Sequence, residues 1–156
     1  MLRIRPFRPE DYDVVRRWIG DPLAAGSFPP GVRPEDDEFV RAMVTGEPDP
    51  SIVRFGVEVG GRLVGEVQYR HGRPQLPAGV FEIGIGIWDP ADRGRGYGRE
   101  AQRQLVDRLF RTEGARRVQA GTDPGNLAER RCLERLGFTE EGVLRGFFDV
   151  PGAATS

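Results

Sequence analysis

The sequence contains no lysine, one cysteine and one histidine among its 156 residues. Without lysine, neither a Schiff-base nucleophile nor the lysine of a phosphate-binding P-loop is available. The lone Cys132 excludes a disulfide within the chain and a cluster of thiolate metal ligands. Cys132 and His71 could form a nucleophile and base pair, but Cys132 lies in an apolar helical pattern, which favours core packing.

Long apolar runs and a large net charge are also missing. No stretch approaches the roughly 20 apolar residues that cross a bilayer. The N-terminal segment MLRIRPFRPED has no apolar signal core, so we expect a cytoplasmic protein. A formal net charge of -1 gives no overall attraction to nucleic acid or to a membrane, and we expect neither as a partner. Any anion site must therefore be local, built from some of the 23 basic residues, all of them arginine.

The chain length fits one folded unit. A chain of this size buries roughly 70% of the surface that it exposes when unfolded. We predict a single domain over residues 1–150 and a frayed tail over residues 151–156.

Hydrophobic periodicity predicts an α/β domain with a mixed sheet, in the order βααβββαβαβ. Strands are expected at LRIRPF, on both sides of the GG turn in SIVRFGVEVGGRLVGEVQYR, at VFEIGIGIW, near residues 118–120, and across FTEEGVLRGFFDV. Helices are expected at PEDYDVVRRWIG, over residues 34–44, over residues 98–112 and at NLAERRCLERLGF. Residues 144–150 would provide a shortened final strand. If they do not, the sheet lacks an edge that a second subunit could supply, so a homodimer is an alternative.

The segment GIGIWDPADRGRGYGREA leads from a strand through three spaced glycines into a helix. Free N–H groups at a helix N-terminus, together with the helix dipole, bind anions, and phosphate is the natural guest. Gly98 is followed by Arg99 and Glu100, which disfavours a P-loop, and the G-x-G-x-G spacing disfavours a dinucleotide fingerprint.

These residues resemble the GNAT acyl-CoA N-acetyltransferases, whose motif [QR]-x-x-G-x-[GA] is matched by Arg93, Gly96 and Gly98. A second pattern, N-x6-L-E-[RK]-x-G-F, runs from Asn126 to Phe138 in the expected order. The resemblance covers most of residues 1–150. It is strongest to the branch with ribosomal-protein alanine, antibiotic and polyamine acetyltransferases. It implies a GNAT-like central sheet with helices on both faces, acetyl-CoA as co-substrate and no metal.

Carried over position by position, the resemblance assigns the pantetheine arm to the main chain of Ile87 and Trp88, and the pyrophosphate to the loop amides. Asn126 corresponds to an asparagine near the pantetheine or thioester. Arg131 would lie near the nucleotide end or on a solvated helix face, and Tyr97 would either pack or contact the cofactor. The implied cofactor-binding residues are Ile87, Trp88, Arg93, Gly94, Arg95, Gly96, Tyr97, Gly98, Arg99, Asn126 and Arg131; the implied catalytic residues are Glu82 and Asn126.

Acetyl transfer to an amine requires deprotonation. At pH 7, presenting the free base costs about 4.6 kcal/mol for an amine of pKa about 10.4 and about 1.4 kcal/mol for an α-amine near 8. Strand alternation places Glu82 with Val80, Gly84, Gly86 and Trp88, where the glycines leave room for a ligand. Glu82 is therefore the candidate base, direct or through water, with a structural carboxylate as the alternative. Glu66 is the reserve candidate.

Two departures from the family pattern leave alternatives open. Glu129 stands where this branch often has serine, and we expect it on the surface; beside the sulfur, an ionised carboxylate would repel the leaving thiolate. The end of the chain is also short. An impaired acyl-CoA-binding module of the same fold is therefore the first alternative, and an RNA-binding domain using DRGRGYGR is a more distant one.

The acceptor is a small-molecule amine or a protein amino terminus. Loops over residues 20–34 and 71–79 are expected to border its entrance, because such loops vary without disturbing the cofactor frame. The acids Asp21, Asp36 and Asp37 would meet a cationic amine there or serve as helix caps.

Overall fold

The computed structural model describes residues 1–19, 21, 37–46 and 49–145. Its strands are β1 (Leu2–Pro6), β2 (Ile52–Val59), β3 (Arg62–Arg70), β4 (Val80–Ile87) and β5 (Arg117–Ala120). Its α-helices are α1 (Tyr12–Trp18), α2 (Asp37–Thr45), α3 (Tyr97–Thr112) and α4 (Leu127–Arg135). Short 3₁₀ turns at Pro9–Asp11 and Pro90–Asp92 precede α1 and follow β4.

The strands form one mixed sheet in the order β1-β2-β3-β4-β5. Neighbours are antiparallel from β1 to β4, and β5 runs parallel to β4. The hairpin predicted at the GG turn is confirmed, with a bulge at Val57 and Glu58. The mixed α/β prediction is therefore confirmed.

Helices lie on both faces of the sheet, as predicted. Phe81 and Ile83 of β4 join the core beneath α3, where Leu105 and Leu109 are fully buried. The opposite face packs against α1 and α2, whose apolar cluster includes Val15, Val40 and Trp88. Strand alternation therefore gives β4 an isoleucine face (Phe81, Ile83, Ile85, Ile87) toward α3 and a glycine face (Val80, Glu82, Gly84, Gly86) on the other side.

The predicted final strand is wrong where it can be checked. Residues 138–145 contain no strand, and residues 146–156 lie outside the described part of the chain. Two exposed ion pairs link this segment to its neighbours: Glu141 pairs with Arg117 of β5 at 2.7 Å, and Glu140 with Arg130 of α4 at 3.3 Å. Such pairs contribute little stability, and the backbone of residues 138–145 forms no ladder with another strand among the described residues.

The predicted helix over residues 34–44 is confirmed from Asp37 onward, while residues 34–36 lie outside the described part. None of the helices in the described ranges is long and apolar enough to cross a bilayer.

Candidate active site

Strands β4 and β5, at one edge of the sheet, stop pairing about halfway along β4. Their parallel pairing runs from Val80 with Arg117 to Ile83 with Ala120, where β5 ends. Strand β4 continues for four more residues to Ile87. Within the described residues, nothing pairs with this edge of β4 beyond Ile83. The sheet therefore has an opening beside residues 84–87, which we call the slot.

The loop after β4 turns the chain into α3 at the same end of the sheet. Gly94 and Gly96 adopt φ values of 74° and 82°, a left-handed conformation that costs side-chain-bearing residues about 1–2 kcal/mol. Gly96 is the N-cap of α3 and has no side chain to cap it. The two glycines therefore leave the main chain at the start of α3 uncovered by their own side chains.

The N–H groups of residues 94–99 donate no hydrogen bond to any acceptor in the described part of the chain. The first main-chain hydrogen bond at the start of α3 is donated by Glu100 N to the carbonyl of Gly96, at 3.1 Å. Unpaired N–H groups at a helix start carry partial positive charge and bind anions. We call this run of donors the amide cradle. Gly98, in the first turn of α3, lies close to β4, since a Cβ there would meet Ile85 Cγ1 at 3.7 Å.

Arg93 turns its side chain away from the cradle and back toward β4. Its Nε donates to the carbonyl of Ile87 at 3.1 Å, and its Nη2 donates to the carbonyl of Trp88 at 3.3 Å. Arg95 similarly donates from Nε to Ala91 O at 3.0 Å. These side chains therefore shape the loop, while the main chain supplies the anion donors.

Trp88 follows the last residue of β4 and is held by both its main chain and its side chain. Its N–H donates to Val64 O of β3 at 3.0 Å, and its indole is buried to 1% exposure in the core beside α1 and α2. The carbonyl groups of Ile87 and Trp88 both meet Arg93. A role of this main chain toward pantetheine stays a prediction.

A bidentate ion pair anchors the turn before the cradle. Arg62 at the start of β3 reaches Asp92 with Nη1 and Nη2 at 2.9 and 3.0 Å. Asp92 is 7% exposed, and the hydrogen bonds from Arg62 lower the pKa of its carboxyl against the opposing effect of burial. Sequence reasoning missed both residues, which lie thirty positions apart.

The glycine face carries the two candidate bases, and both are ion-paired. Glu82 receives Arg70 Nη1 at 3.2 Å and Gln119 Nε2 at 3.1 Å, and its side chain is 36% exposed. Glu66 lies opposite Gly86 in the β3–β4 register, is 6% exposed, and pairs with Arg54 at 3.2 Å. Glu82 is therefore the more exposed of the two acids, and Glu66 lies level with Gly86 along the strand direction.

Between the two acids, the carboxamide of Gln68 lies on Gly84. A Cβ at Gly84 would approach Gln68 Cγ and Nε2 to 3.3 Å. Gln68 Oε1 is buried and has no donor among the described residues. Nothing in the sequence pattern singled out Gln68.

Helix α4 presents the second motif. Asn126 is its N-cap, and Asn126 Oδ1 accepts from Glu129 N at 3.2 Å. Arg131 is exposed on the helix. Asp37, expected either to meet a cationic acceptor or to cap a helix, accepts from Tyr12 Oη at 2.6 Å and Arg16 Nε at 3.1 Å at the start of α2, while Asp36 lies outside the described residues.

We expected Glu129 on the surface, and the structure shows it only partly exposed, with its carboxyl turned toward α3. Its Oε1 accepts from Gln102 Nε2 at 3.1 Å, beneath α3, and burial raises the pKa of its carboxyl. Cys132 lies in the same contact, and burial raises the pKa of its thiol to about 11. Gln102 was also missed, although its spacing with Gly98, Leu105 and Leu109 places a polar residue in an otherwise apolar helical stripe.

In the described ranges, no group of three or more His, Cys, Asp or Glu side chains is arranged to hold a metal.

Comparison with known proteins identifies the family that the sequence motifs resemble. The Acetyltransferase (GNAT) domain profile matches residues 1–139. The probable N-acetyltransferase YjcK of Bacillus subtilis is 42% identical over 93 residues, which is 58% of this chain and 49% of that protein. The N-alpha-acetyltransferase RimI of Mycobacterium tuberculosis is 37% identical over 100 residues, covering 63% of this chain and 59% of RimI. These matches thus span roughly half of each relative's length.

A solved structure shares the fold. The aminoglycoside acetyltransferase AAC(6')-Ib in complex with coenzyme A aligns with a TM-score of 0.78 at 21% identity, covering 93% of this chain and 88% of that one.

Proposed function

The chain belongs to the GNAT acetyltransferase family, and we propose that it moves the acetyl group of acetyl-CoA to a primary amine by direct attack within a ternary complex. The single observation that carries this proposal is the amide cradle beside the slot. Its main-chain donors stand unpaired among the described residues, at the start of a sixteen-residue helix and at the open end of β4. A diphosphate would satisfy those donors without any lysine.

The residues present fit coenzyme A. The cradle residues Gly94, Arg95, Gly96, Tyr97, Gly98 and Arg99 would hold the diphosphate through their N–H groups, with Arg93 fixing the loop. The thioester supplies an acyl group that an amine can attack without metal or covalent enzyme intermediate. Asn126 and Arg131 on α4 are proposed to lie along the remaining length of the cofactor, near its thioester and nucleotide ends.

Glu82 is the proposed base, with Glu66 in reserve. A carboxylate that is partly exposed can take a proton from an ammonium group, directly or through water, and pass it to solvent. The Gln68 carboxamide covers Gly84 between Glu82 and the slot, so an acceptor amine would reach Glu82 past this side chain. Arg70 lies 3.2 Å from the Glu82 carboxylate, so a cationic amine would share that carboxylate with the guanidinium group.

The acceptor is proposed to be a small-molecule amine or a protein amino terminus. The names of the relatives point to both: one acts as an N-alpha-acetyltransferase and another on aminoglycosides. A cytoplasmic location and a homodimer completed at the sheet edge also stay proposals.

The test is release of free thiol from acetyl-CoA with a panel of α-amines, polyamines and aminoglycosides, run beside calorimetric titration of coenzyme A. Binding with amine-dependent thiol release is the expected result. Binding without turnover across the panel would favour the impaired module instead. Salt-sensitive RNA binding that coenzyme A does not compete would favour the RNA-binding alternative.

A further inference from the structure

The Gln68 side chain carries a buried polar atom that the described residues leave unsatisfied. Its Oε1 is buried and receives no donor from them. The neighbour of Gln68 on β2 is Arg54, whose Nη1 reaches the two carboxylate oxygens of Glu66 at 3.2 and 3.3 Å. Buried acceptors are almost always hydrogen-bonded, because an unmade hydrogen bond in the interior costs free energy. The oxygen therefore takes its hydrogen bond from water or from a bound molecule.

The position of Gln68 relates it to the slot. Gln68 faces Gly84 in the β3–β4 register, and Gly84 is the first residue of β4 beyond its last pair with β5. A Cβ at Gly84 would lie 3.3 Å from Cγ and Nε2 of Gln68, so the carboxamide lies across this glycine. The polar end of Gln68 thus lies at the end of the slot nearest to β5.

Two carboxylates flank Gln68 on the same face of the sheet. Glu82 lies two residues before Gly84 on β4, and Glu66 lies two residues before Gln68 on the antiparallel strand β3, so the acids are on opposite sides of this row. A step of two residues along a strand is roughly 6.6 Å. A nitrogen held over Gly84 would therefore lie one such step from either acid, beside an uncharged oxygen.

An uncharged acceptor suits the reaction. An ammonium group has three N–H donors and must lose one proton before its nitrogen can attack a thioester. Each carboxylate close to that nitrogen stabilises the charged form and so raises the pKa of the amine. An amide oxygen accepts an N–H without adding negative charge. Gln68 can therefore orient the nitrogen while a single carboxylate removes the proton.

The carboxamide can present its oxygen to the slot without a change in the backbone. The terminal torsion of a glutamine side chain is broad and two-fold, so a turn about it exchanges the places of Oε1 and Nε2. Nε2 is the carboxamide atom that lies against Gly84. The exchange would bring the oxygen to this place, where the glycine contributes no side chain.

We propose that Gln68 binds the acceptor amine: its Oε1 accepts an N–H of the substrate over Gly84 and holds the nitrogen between Glu82 and the slot. This inference rests on the proposed acetyl transfer and adds to it the residue that orients the nucleophile. The recognised group is a primary amine, whose N–H donors replace water at the oxygen.

The experiment compares the wild type with Gln68→Met, using spermidine, kanamycin and alaninamide as acceptors: a polyamine, an aminoglycoside and an α-amine. Methionine resembles glutamine in length but lacks a strong acceptor. We expect kcat/KM for the amine to fall by about 10- to 100-fold, the effect of one lost hydrogen bond to a charged group. The coenzyme A dissociation constant should not change. The thermal midpoint should be equal or higher, because an unsatisfied buried oxygen is removed. Gln68→Leu is expected to behave likewise.

Gln104 of α3 provides the matched control, because its carboxamide is satisfied by the first strand. Gln104 Oε1 accepts from Ile4 N at 3.3 Å, and Nε2 donates to Leu2 O at 3.0 Å. We expect Gln104→Met to lower the thermal midpoint and to leave the amine kinetics unchanged. Opposite effects of the same substitution at the two positions would separate substrate binding from packing.

Three results would overturn the inference. Unchanged kcat/KM for the amine in Gln68→Met and Gln68→Leu would overturn it and leave the proposed function standing. A loss of coenzyme A affinity as large as the loss of kcat/KM would also overturn it, since Gln68 would then support the cofactor site. Failure of the wild type to release thiol with any of the three amines would overturn the proposed function together with it.

Discussion

Arg70 and Glu82 face each other across β3 and β4, with Nη1 and Oε1 3.2 Å apart on the glycine face. Both side chains are about one-third exposed, so the pair is open to solvent and can exchange partners. Gln119 of β5 donates a second hydrogen bond to the same carboxylate. Glu82 is therefore hydrogen-bonded to the strands on both sides of β4, and about a third of its side chain remains exposed to solvent.

Replacing Glu82 by glutamine tests its role as the base. Glu82→Gln keeps the shape and the contact with β5 but cannot take a proton. We expect kcat to fall by about 10²- to 10⁴-fold, with little change in coenzyme A affinity. Steady-state kinetics and calorimetry of the same preparation provide both numbers.

Glu66→Gln is the matched comparison for this prediction. If turnover survives in Glu82→Gln and collapses in Glu66→Gln, the base is Glu66. The more buried ion pair with Arg54 makes Glu66→Gln the more destabilising of the two changes.

Gly96 tests the cradle. In Gly96→Glu, a carboxylate is added where the main chain offers its donors, and we expect coenzyme A affinity to fall by at least about 100-fold. Gly96→Ala is the control, because both variants carry the same left-handed strain of about 1–2 kcal/mol but only one adds charge. Equal dissociation constants for the two variants would contradict a phosphate site here.

A buried charge network should dominate the stability of the first strand. Arg5 donates to Asp11 at 2.9 and 3.0 Å and to Glu58 at 2.9 Å, with each side chain about one-tenth exposed. Removing the cation leaves two buried carboxylates, so Arg5→Gln is expected to cost about 3–5 kcal/mol of unfolding free energy.

Arg3 is the internal control for Arg5, because it also pairs with Glu58 but is 59% exposed. We expect Arg3→Gln to cost about 0–1 kcal/mol. Urea denaturation of both variants measures the difference, and comparable losses would show that burial does not set the strength of this network.

The ion pair between Arg62 and Asp92, which precedes the amide cradle, should make the protein sensitive to acid. Hydrogen bonds from Arg62 lower the folded-state pKa of Asp92 below the ordinary 3.8. Its contribution to stability is thus complete above that ordinary value and is lost as the pH falls through the lower folded value. Asp92→Asn should unfold with a shallower loss of stability over that acid range, measured by thermal melts at stepped pH. An unchanged slope would mean that the pair adds nothing to folding.

Much of the architecture could be predicted from local patterns. The alternation of Phe81, Ile83 and Ile85 with glycines and Glu82 fixed both the strand and its two faces, because side chains in a strand point alternately to opposite sides. The glycines before Tyr97 likewise indicated a loop with little side chain entering a helix, and their spacing disfavoured both a P-loop and a dinucleotide fingerprint.

Side-chain environments that depend on distant elements could not be predicted in this way. Glu129 looks like a solvated helical residue until α3 brings Gln102 against it from 27 positions away. The glycine pattern matched Arg93 to the family motif, but it did not show that the Arg93 side chain donates to the carbonyl groups of Ile87 and Trp88. In both cases tertiary packing decided the partner, and the local pattern was compatible with either outcome.

The early end of β5 leaves the outer edge of β4 unpaired from Gly84 to Ile87 in the described part of the chain. An unpaired strand edge carries regularly spaced N–H and C=O groups that another extended chain can pair with. A ligand with amide groups lying along this edge would act as one more strand of the sheet. Slower hydrogen exchange of the β4 amides on this edge is the signature that such a ligand would leave.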